Sequence, residues 1–260
     1  MDRIKVAVQG ALGRMGQEVI RTLCDDDSTE AVGAVDLKVT ANELALPDGS
    51  GTIPLSANLK QLLNRCQPDV LVDFTVAQAT MPAVRTAVKY GVNLVIGTTG
   101  LTPEEIEEID QLAKAHGIGA MVAPNFALGA VLMMHLAKIA AKYFNHAEII
   151  ELHHEKKIDS PSGTSIAIAN AMLEARGKPF LKPLSSEKRG TQINGITVHS
   201  VRLPGFLAKH DIILGGPGQT LRIEHNTINR KCFMPGVIMA VKKVVDHKGL
   251  IYGLESLLGL

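Results

Sequence analysis

The chain has 260 residues, 46% of them hydrophobic, enough for one large domain or two modest ones with a sizeable core. Lysine plus arginine number 27 against 26 for aspartate plus glutamate, and the net charge of +1 gives no electrostatic case for a nucleic acid or an anionic membrane as partner. Three scattered cysteines, Cys24, Cys66 and Cys232, argue against a disulfide scaffold or a zinc ribbon and for a reducing compartment. Lys5 interrupts a first apolar run that is already short, so no signal peptide is expected and the expected location is cytoplasmic.

Residues 4–8 read as a short apolar strand. A glycine-rich loop follows, with Gly10, Gly13 and Gly16 separated by Ala11-Leu12 and Arg14-Met15. A helical run over 17–24 and a second strand over 31–35 come next, and that strand ends at Asp36. Strand, glycine loop, helix, strand and acid in this order match a dinucleotide-binding βαβ unit. The glycines let the backbone approach a pyrophosphate at the helix N-terminus, and Asp36 is placed to accept hydrogen bonds from a ribose. Leu12 holds the middle position of the usual fingerprint, and the alternative is a tight turn whose glycines serve packing alone.

Three further strands support the cofactor reading. Residues 70–73 end in Phe74-Thr75, 94–96 in Gly97-Thr98-Thr99-Gly100, and 119–123 in Pro124-Asn125-Phe126. Helical patterns lie between them at 57–65, 77–90 and 103–116, the last with Thr102 and Glu105 at capping-box spacing. Alternating strands and helices predict a parallel, doubly wound sheet, which binds ligands at the carboxyl ends of its strands. Residues 117–134 carry no charged side chain and approach membrane-spanning length. Pro124-Asn125 cuts that segment, so it reads as a strand, a loop and a helix.

Beyond Phe126 the pattern changes. Residues 127–143 predict a long amphipathic helix, and a charged connector spans 176–190. Strands at 197–203, 211–214 and 220–226, with a turn at 215–218, predict a mixed or antiparallel sheet with helices on one face. A helix over 236–247 and a short tail close the chain.

The stretch from Glu151 to Ser165, ELHHEKKIDSPSGTS, carries the candidate chemistry. Read as a strand, it places His153, Glu155 and Lys157 on one face and His154 and Lys156 on the other. Ser160 or Ser162 then caps an alanine-rich helix that opens at Gly163-Thr164, with Pro161 near its first turn. A helix N-terminus offers unpaired N–H groups and partial positive charge, and two histidines and two lysines stand just before it, a pocket for anions. The alternative is a solvated strand edge guarded by lysines. No metal site is expected, because adjacent histidines on a strand point apart.

Taken together, these segments resemble the 4-hydroxy-tetrahydrodipicolinate reductase (dihydrodipicolinate reductase) family. The resemblance rests on residues 8–16, 73–75, 97–100, 123–126, and above all 151–157 and 159–164. It implies an NADH- or NADPH-dependent reduction of a cyclic dicarboxylate in the diaminopimelate route to lysine. It places the catalytic pair on His153 and Lys157 and substrate-carboxylate contacts on His154, Gly163 and Thr164. Cofactor contacts fall on Gly10, Ala11, Leu12, Gly13, Arg14, Met15, Asp36, Gly97, Thr98, Thr99, Ala123, Pro124, Asn125 and Phe126. The expected fold is α/β: a Rossmann-type doubly wound parallel sheet over 1–126, completed by a C-terminal helical segment over 232–260. A second α+β domain over 127–231 is expected to bind substrate and to build a homo-oligomer, a tetramer by resemblance. Many members carry an arginine directly after the acid. Here Leu37 and then Lys38 follow Asp36, which predicts use of both cofactors. Arg230 is a further candidate for a substrate carboxylate, and a surface arginine near a domain junction is the equal alternative.

Two other functions fit parts of the pattern. A different two-domain nicotinamide dehydrogenase shares the plan, although none of the three cysteines falls in a loop suited to a phosphorylating aldehyde dehydrogenase. A regulator that senses NAD(H) would need a DNA-binding or partner module, and the chain shows no basic stripe or helix-turn-helix pattern.

Overall fold

The computed structural model describes residues 2–182 and 189–260. The chain forms two compact units, one from Met1–Leu128 with Phe233–Leu260 and one from Gly129–Cys232.

The first unit runs β1 (Ile4–Gln9), α1 (Arg14–Asp25), β2 (Thr29–Val35), β3 (Glu43–Ala45), β4 (Thr52–Ser56), α2 (Leu59–Cys66) and β5 (Val70–Asp73). It continues with α3 (Ala77–Ala87), β6 (Asn93–Ile96), α4 (Pro103–His116) and β7 (Gly119–Val122). The chain returns to this unit through α7 (Met234–Val244), β13 (Gly249–Tyr252) and α8 (Glu255–Leu258). The strands form one sheet in the order β13-β7-β6-β5-β1-β2-β4-β3. Every neighbouring pair is parallel except β3 with β4.

A parallel sheet is covered on both faces, so its central strands are apolar almost throughout. Leu71, Leu94, Ile96 and Ala120 pack with Leu62 and Leu63 of α2, Val84 of α3 and Ile109 and Ala113 of α4. Helices α1 and α7 lie side by side on the other face, joined by a Lys242–Asp26 ion pair of 3.1 Å. The capping box of α4 is present in full. Thr102 Oγ1 accepts from Glu105 N at 3.2 Å, and Glu105 Oε2 accepts from Thr102 N at 2.8 Å.

Two stretches depart from expectation. Residues 43–56, unassigned from sequence, supply β3 and β4. The 232–260 segment, expected as a helix and a tail, includes the edge strand β13, which extends the ladder beside β7.

The second unit holds α5 (Leu128–Ala141), β8 (His146–His153), α6 (Gly163–Arg176), β9 (Thr191–Ile193), β10 (Ile196–Arg202), β11 (Ala208–Gly216) and β12 (Gln219–Thr227). Its sheet has the order β12-β11-β8-β10-β9, with β10 parallel to β8 and the other pairs antiparallel. Strand alternation puts Ala147, Ile149, Glu151 and His153 on one face. The apolar part of that face packs on Met133 and Ala137 of α5 and on Ile168, Ala169 and Met172 of α6. Helix α5 is not amphipathic as expected: its outward side carries Leu132, Leu136 and Ile139, each between 43% and 50% exposed. Part of the charged connector expected over 176–190, residues 183–188, lies outside the described residues.

The reading of 117–134 as strand, loop and helix matches β7 and α5. Among the described residues no helix is long and apolar enough to cross a membrane.

Candidate active site

In the first unit the glycine loop closes on itself. Gly10 has φ +77°, a backbone conformation open to glycine. Its N–H and that of Ala11 donate to Val35 O at 2.9 and 3.1 Å, and Gly13 N–H donates to Gly10 O at 3.0 Å. Gly16 sits so close to the turn that a Cβ there would stand 2.1 Å from Gly10 O. Gly13 is the N-cap of α1, and no side chain caps that end. The first N–H groups of a helix have no partner within it, so this end of α1 suits an anionic oxygen.

Asp36, at the end of β2, holds the loop from the side. Its Oδ2 accepts from Leu12 N and its Oδ1 from Lys38 N, both at 3.0 Å. Arg14 is exposed and Met15 half-buried beside the turn, and Leu37 is exposed to 85%.

The loops after β5 and β6 are tied together at the same sheet edge. Thr75 N donates to Thr98 Oγ1 at 2.9 Å. The hydroxyls of Thr75 and Thr80 each donate to the buried Asp73 carboxylate at 2.6 Å. Burial pushes the Asp73 carboxyl up, against these hydrogen bonds. Phe74 meets Phe126 edge to face with centroids 5.7 Å apart and lies against Gly97. Thr99 and Pro124 are exposed, Ala123 is buried, and Asn125 Oδ1 caps Ala127 N at 2.9 Å. Gly10–Met15, Asp36, Gly97–Thr99 and Ala123–Phe126 thus all lie at the carboxyl ends of β1, β2, β6 and β7. A Cβ-free cradle at a bare helix end, with an acid beside it, fits a pyridine dinucleotide.

In the second unit β8 stops at His153, four residues short of the expected end. Its neighbours stop there too: Ala208 of β11 and Arg202 of β10 are the partners of His153. The chain then turns, with Lys157 N–H donating to His154 O at 3.1 Å. The shared-face argument for His153 and Lys157, and the opposite face given to His154 and Lys156, therefore do not hold: residues 154–157 are a turn. Lys157 still comes near enough for its charge to bear on the His153 imidazole. Its Nζ donates to both oxygens of Asp159 at 2.8 Å.

Ser162 is the N-cap of α6, and its Oγ accepts from Ser165 N at 3.2 Å. Of the two cap candidates it is Ser162, with Pro161 just outside the helix. Gly163 and Thr164 form the first turn, where N–H groups face outward from the helix end.

Sequence reading assigned no role to three residues that surround His153. Glu151 is fully buried, and its Oε2 contacts His153 Nδ1. Its Oε1 accepts from Arg202 Nη2 at 2.8 Å and from Ser162 N at 3.3 Å. His210 meets the His153 ring edge to face at 5.4 Å, and its Nε2 lies 3.3 Å from Ser162 Oγ. Burial pulls the His153 imidazole below its ordinary pKa, opposed by Glu151 and reinforced by Lys157 and Arg202. Burial works to raise the Glu151 carboxyl, but hydrogen bonds from Arg202, Ser200 and His153 outweigh it and hold the group low. The signal for Glu151 was available, since it stands two residues before His153 and shares its face. Arg202 and His210 lie 51 and 59 positions from Glu151 and carried none. Arg230 stands half-exposed in a short 3-10 turn, Arg230–Phe233.

A Rossmann-type unit with a bare glycine loop and an acid, joined in one chain to a mixed-sheet unit with a buried imidazole–carboxylate pair, defines a pyridine-nucleotide-dependent oxidoreductase. Comparison with known proteins narrows this. The family described as dihydrodipicolinate reductase, N-terminus, matches residues 4–126, and its C-terminus counterpart matches 129–258. A 4-hydroxy-tetrahydrodipicolinate reductase of Dehalococcoides mccartyi (strain CBDB1) is 55% identical over 263 residues, covering 100% of both chains. One from Moorella thermoacetica (strain ATCC 39073 / JCM 9320) is 46% identical over 98% of each. A dipicolinate-bound dihydrodipicolinate reductase from Paenisporosarcina sp. TG-14 superposes with a TM-score of 0.86 at 39% identity, over 98% of this chain and 99% of that one. The chain belongs to the dihydrodipicolinate reductase family. An amine dehydrogenase from Mycobacterium smegmatis, at 16% identity and a TM-score of 0.65, shares the fold alone.

Proposed function

We propose that the chain reduces 4-hydroxy-tetrahydrodipicolinate to tetrahydrodipicolinate with NADH or NADPH, in the diaminopimelate route to lysine. The observation that carries this reading is the buried His153 at the end of β8, tied through Glu151 to the N-terminus of α6, in a chain that matches the family over residues 4–126 and 129–258.

The first unit would hold the dinucleotide through Gly10, Ala11, Leu12, Gly13, Arg14 and Met15, with Asp36 at the ribose and Gly97–Thr99 and Ala123–Phe126 beside it. The reduced nicotinamide supplies the hydride when bound. The protein supplies charge and protons. Hydride addition beside a ring C=N leaves negative charge, which a positioned acid must quench. His153 and Lys157 are the groups proposed for that work, and the Lys157 charge bears on the His153 imidazole. His154 and the first turn of α6, Gly163 and Thr164, are proposed to receive a substrate carboxylate, since charge-assisted hydrogen bonds favour a fixed anion there. Lys157 Nζ spends two of its three N–H donors on Asp159, which leaves the third for a ligand.

Two coarser features extend the reading. The face of the second sheet turned away from α5 and α6 carries Ile150, Leu152, Val201 and Ile213. It also carries the ion pairs Arg222–Asp211, at 2.6 Å, and Lys209–Glu224, at 2.7 Å. A broad, half-apolar face of this kind supports a homo-oligomer, proposed as a tetramer. The three free thiols suit a reducing compartment and hence the cytoplasm.

The deciding assay follows nicotinamide absorbance with purified protein and substrate made in place from pyruvate and aspartate semialdehyde by the preceding synthase. Oxidation of NADH or NADPH that depends on both precursors is expected. Inertness toward both cofactors would remove the assignment.

A further inference from the structure

Glu151 lies fully buried among partners that come from three different segments of the second unit. Its two oxygens take His153 Nδ1 from its own strand, Arg202 Nη2 from β10 at 2.8 Å, and Ser162 N from the end of α6 at 3.3 Å. Arg202 carries the connection further. Its guanidinium also donates to the carbonyls of Lys157 at 3.2 Å and Asp159 at 2.7 Å, fixing the turn that presents Lys157. Among the described residues nothing hydrogen-bonds Nε2 of His153.

The chemistry of the two groups decides the proton. An ionised carboxylate accepts hydrogen bonds and donates none. Arg202 beside it and the Ser162 N–H favour that ionised form. An imidazole nitrogen facing it must therefore carry the hydrogen, which leaves the other nitrogen as the basic one.

We propose that Glu151 is the positioning residue of this site: it fixes His153 with the hydrogen on Nδ1, so that Nε2 is the atom through which the proton passes. By accepting Ser162 N–H and Arg202 on the same carboxylate, it also locks the imidazole in register with the first turn of α6 and with the turn bearing Lys157. One buried group thus couples the acid to the anion-binding end of the helix. Removing it would leave the half-buried Arg202 guanidinium with backbone carbonyls alone as partners, as well as freeing the ring. The proposal rests on His153 acting as the acid of the reading above.

The direct test is the tautomer of His153 in the unmodified protein, read by nitrogen NMR on histidine-labelled material and assigned with His153→Ala. The expected neutral form has a pyrrole-like Nδ1 and a pyridine-like Nε2. A pyrrole-like Nε2 overturns the proposal, whatever the variants do. In Glu151→Gln the tautomer is expected to invert or to become mixed, and kcat to fall by about a hundredfold with substrate KM within about threefold. The basic limb of the pH profile should also move to lower pH, because the carboxylate that raises the His153 pKa is gone. The other charged or titratable groups facing the ring are Lys157, Arg202 and His210, which stay in place. Glu151→Asp should recover part of the rate. An unchanged tautomer with kcat within about twofold in Glu151→Gln overturns the role. If the tautomer responds to Glu151 as stated while His153→Ala keeps full turnover, the positioning stands and His153 as acid falls.

Discussion

The backbone N–H of Leu12 donates to Asp36 Oδ2 over 3.0 Å, and Lys38 N–H takes Oδ1 at the same distance. The acid proposed for the ribose is thus also the clip that holds the glycine loop. Its charge is shared with two N–H donors, and Arg14, two residues past Leu12, and Lys38, two past Asp36, would lessen the repulsion of a 2′-phosphate. We expect both cofactors to serve. The ratio of kcat/KM for NADH and NADPH should stay under about a hundredfold, or about 2.7 kcal/mol of discrimination. Asp36→Ala should weaken both cofactors by releasing the loop. Steady-state kinetics with each decide the matter, and a larger bias toward either cofactor would refute dual use.

Lys157→Ala should lower kcat by roughly two orders of magnitude or more, the scale of a lost general acid. NADPH affinity, measured by fluorescence titration, should stay near that of the parent. His153→Ala should behave alike. A Lys157→Ala enzyme with most of its turnover would end the assignment of that side chain.

Gly16→Ala tests the cradle. The new Cβ would stand 2.1 Å from Gly10 O and 2.7 Å from Ala11 Cα, and both are backbone that cannot swing aside. We expect a loss of stability toward the upper end of the roughly 1–3 kcal/mol seen for overpacking, with loss of dinucleotide binding. Thermal unfolding with and without NADPH would show it, and a variant that NADPH still stabilises like the parent would contradict this account of the loop.

His210 makes stability depend on pH. Burial, with His153 adding to it, pulls its pKa down to about 4, so the folded chain keeps it neutral while the unfolded chain protonates it near 6.5. Between those values the unfolded state binds the extra proton, and stability falls as pH falls. For this group alone the loss approaches about 3 kcal/mol by pH 4. The depressed His153 and His225 act in the same sense. Urea midpoints at neutral and acidic pH should therefore fall further for the parent than for His210→Gln. Parallel losses in the two proteins would rule out this source.

Where side chains repeat in short range, the fold was legible. Apolar runs marked β1, β5, β6 and β7, and Thr102 with Glu105 marked the start of α4 to the residue. The strands β3, β4 and β13 were not, because each is short, and β13 gains its stability from β7, far along the chain. The end of β8 was hidden for a related reason. Nothing in His154-Glu155-Lys156 breaks a strand, and the ladder stops because β10 and β11 stop. The site divided in the same way. His153 and the α6 cap could be read locally, whereas Arg202 reaches Glu151 only through the pairing of β10 with β8.

Strand β13 lies beside β7, yet 126 residues of other structure separate the end of one from the start of the other along the chain (249 − 122 − 1 = 126). A ribosome making this protein must therefore deliver the whole second unit before the rim of the first can be sealed. Until then the backbone of β7 has an unfilled side, open to a stray strand from a neighbouring nascent chain. The order of synthesis makes the dinucleotide unit, although begun first, the last to be finished.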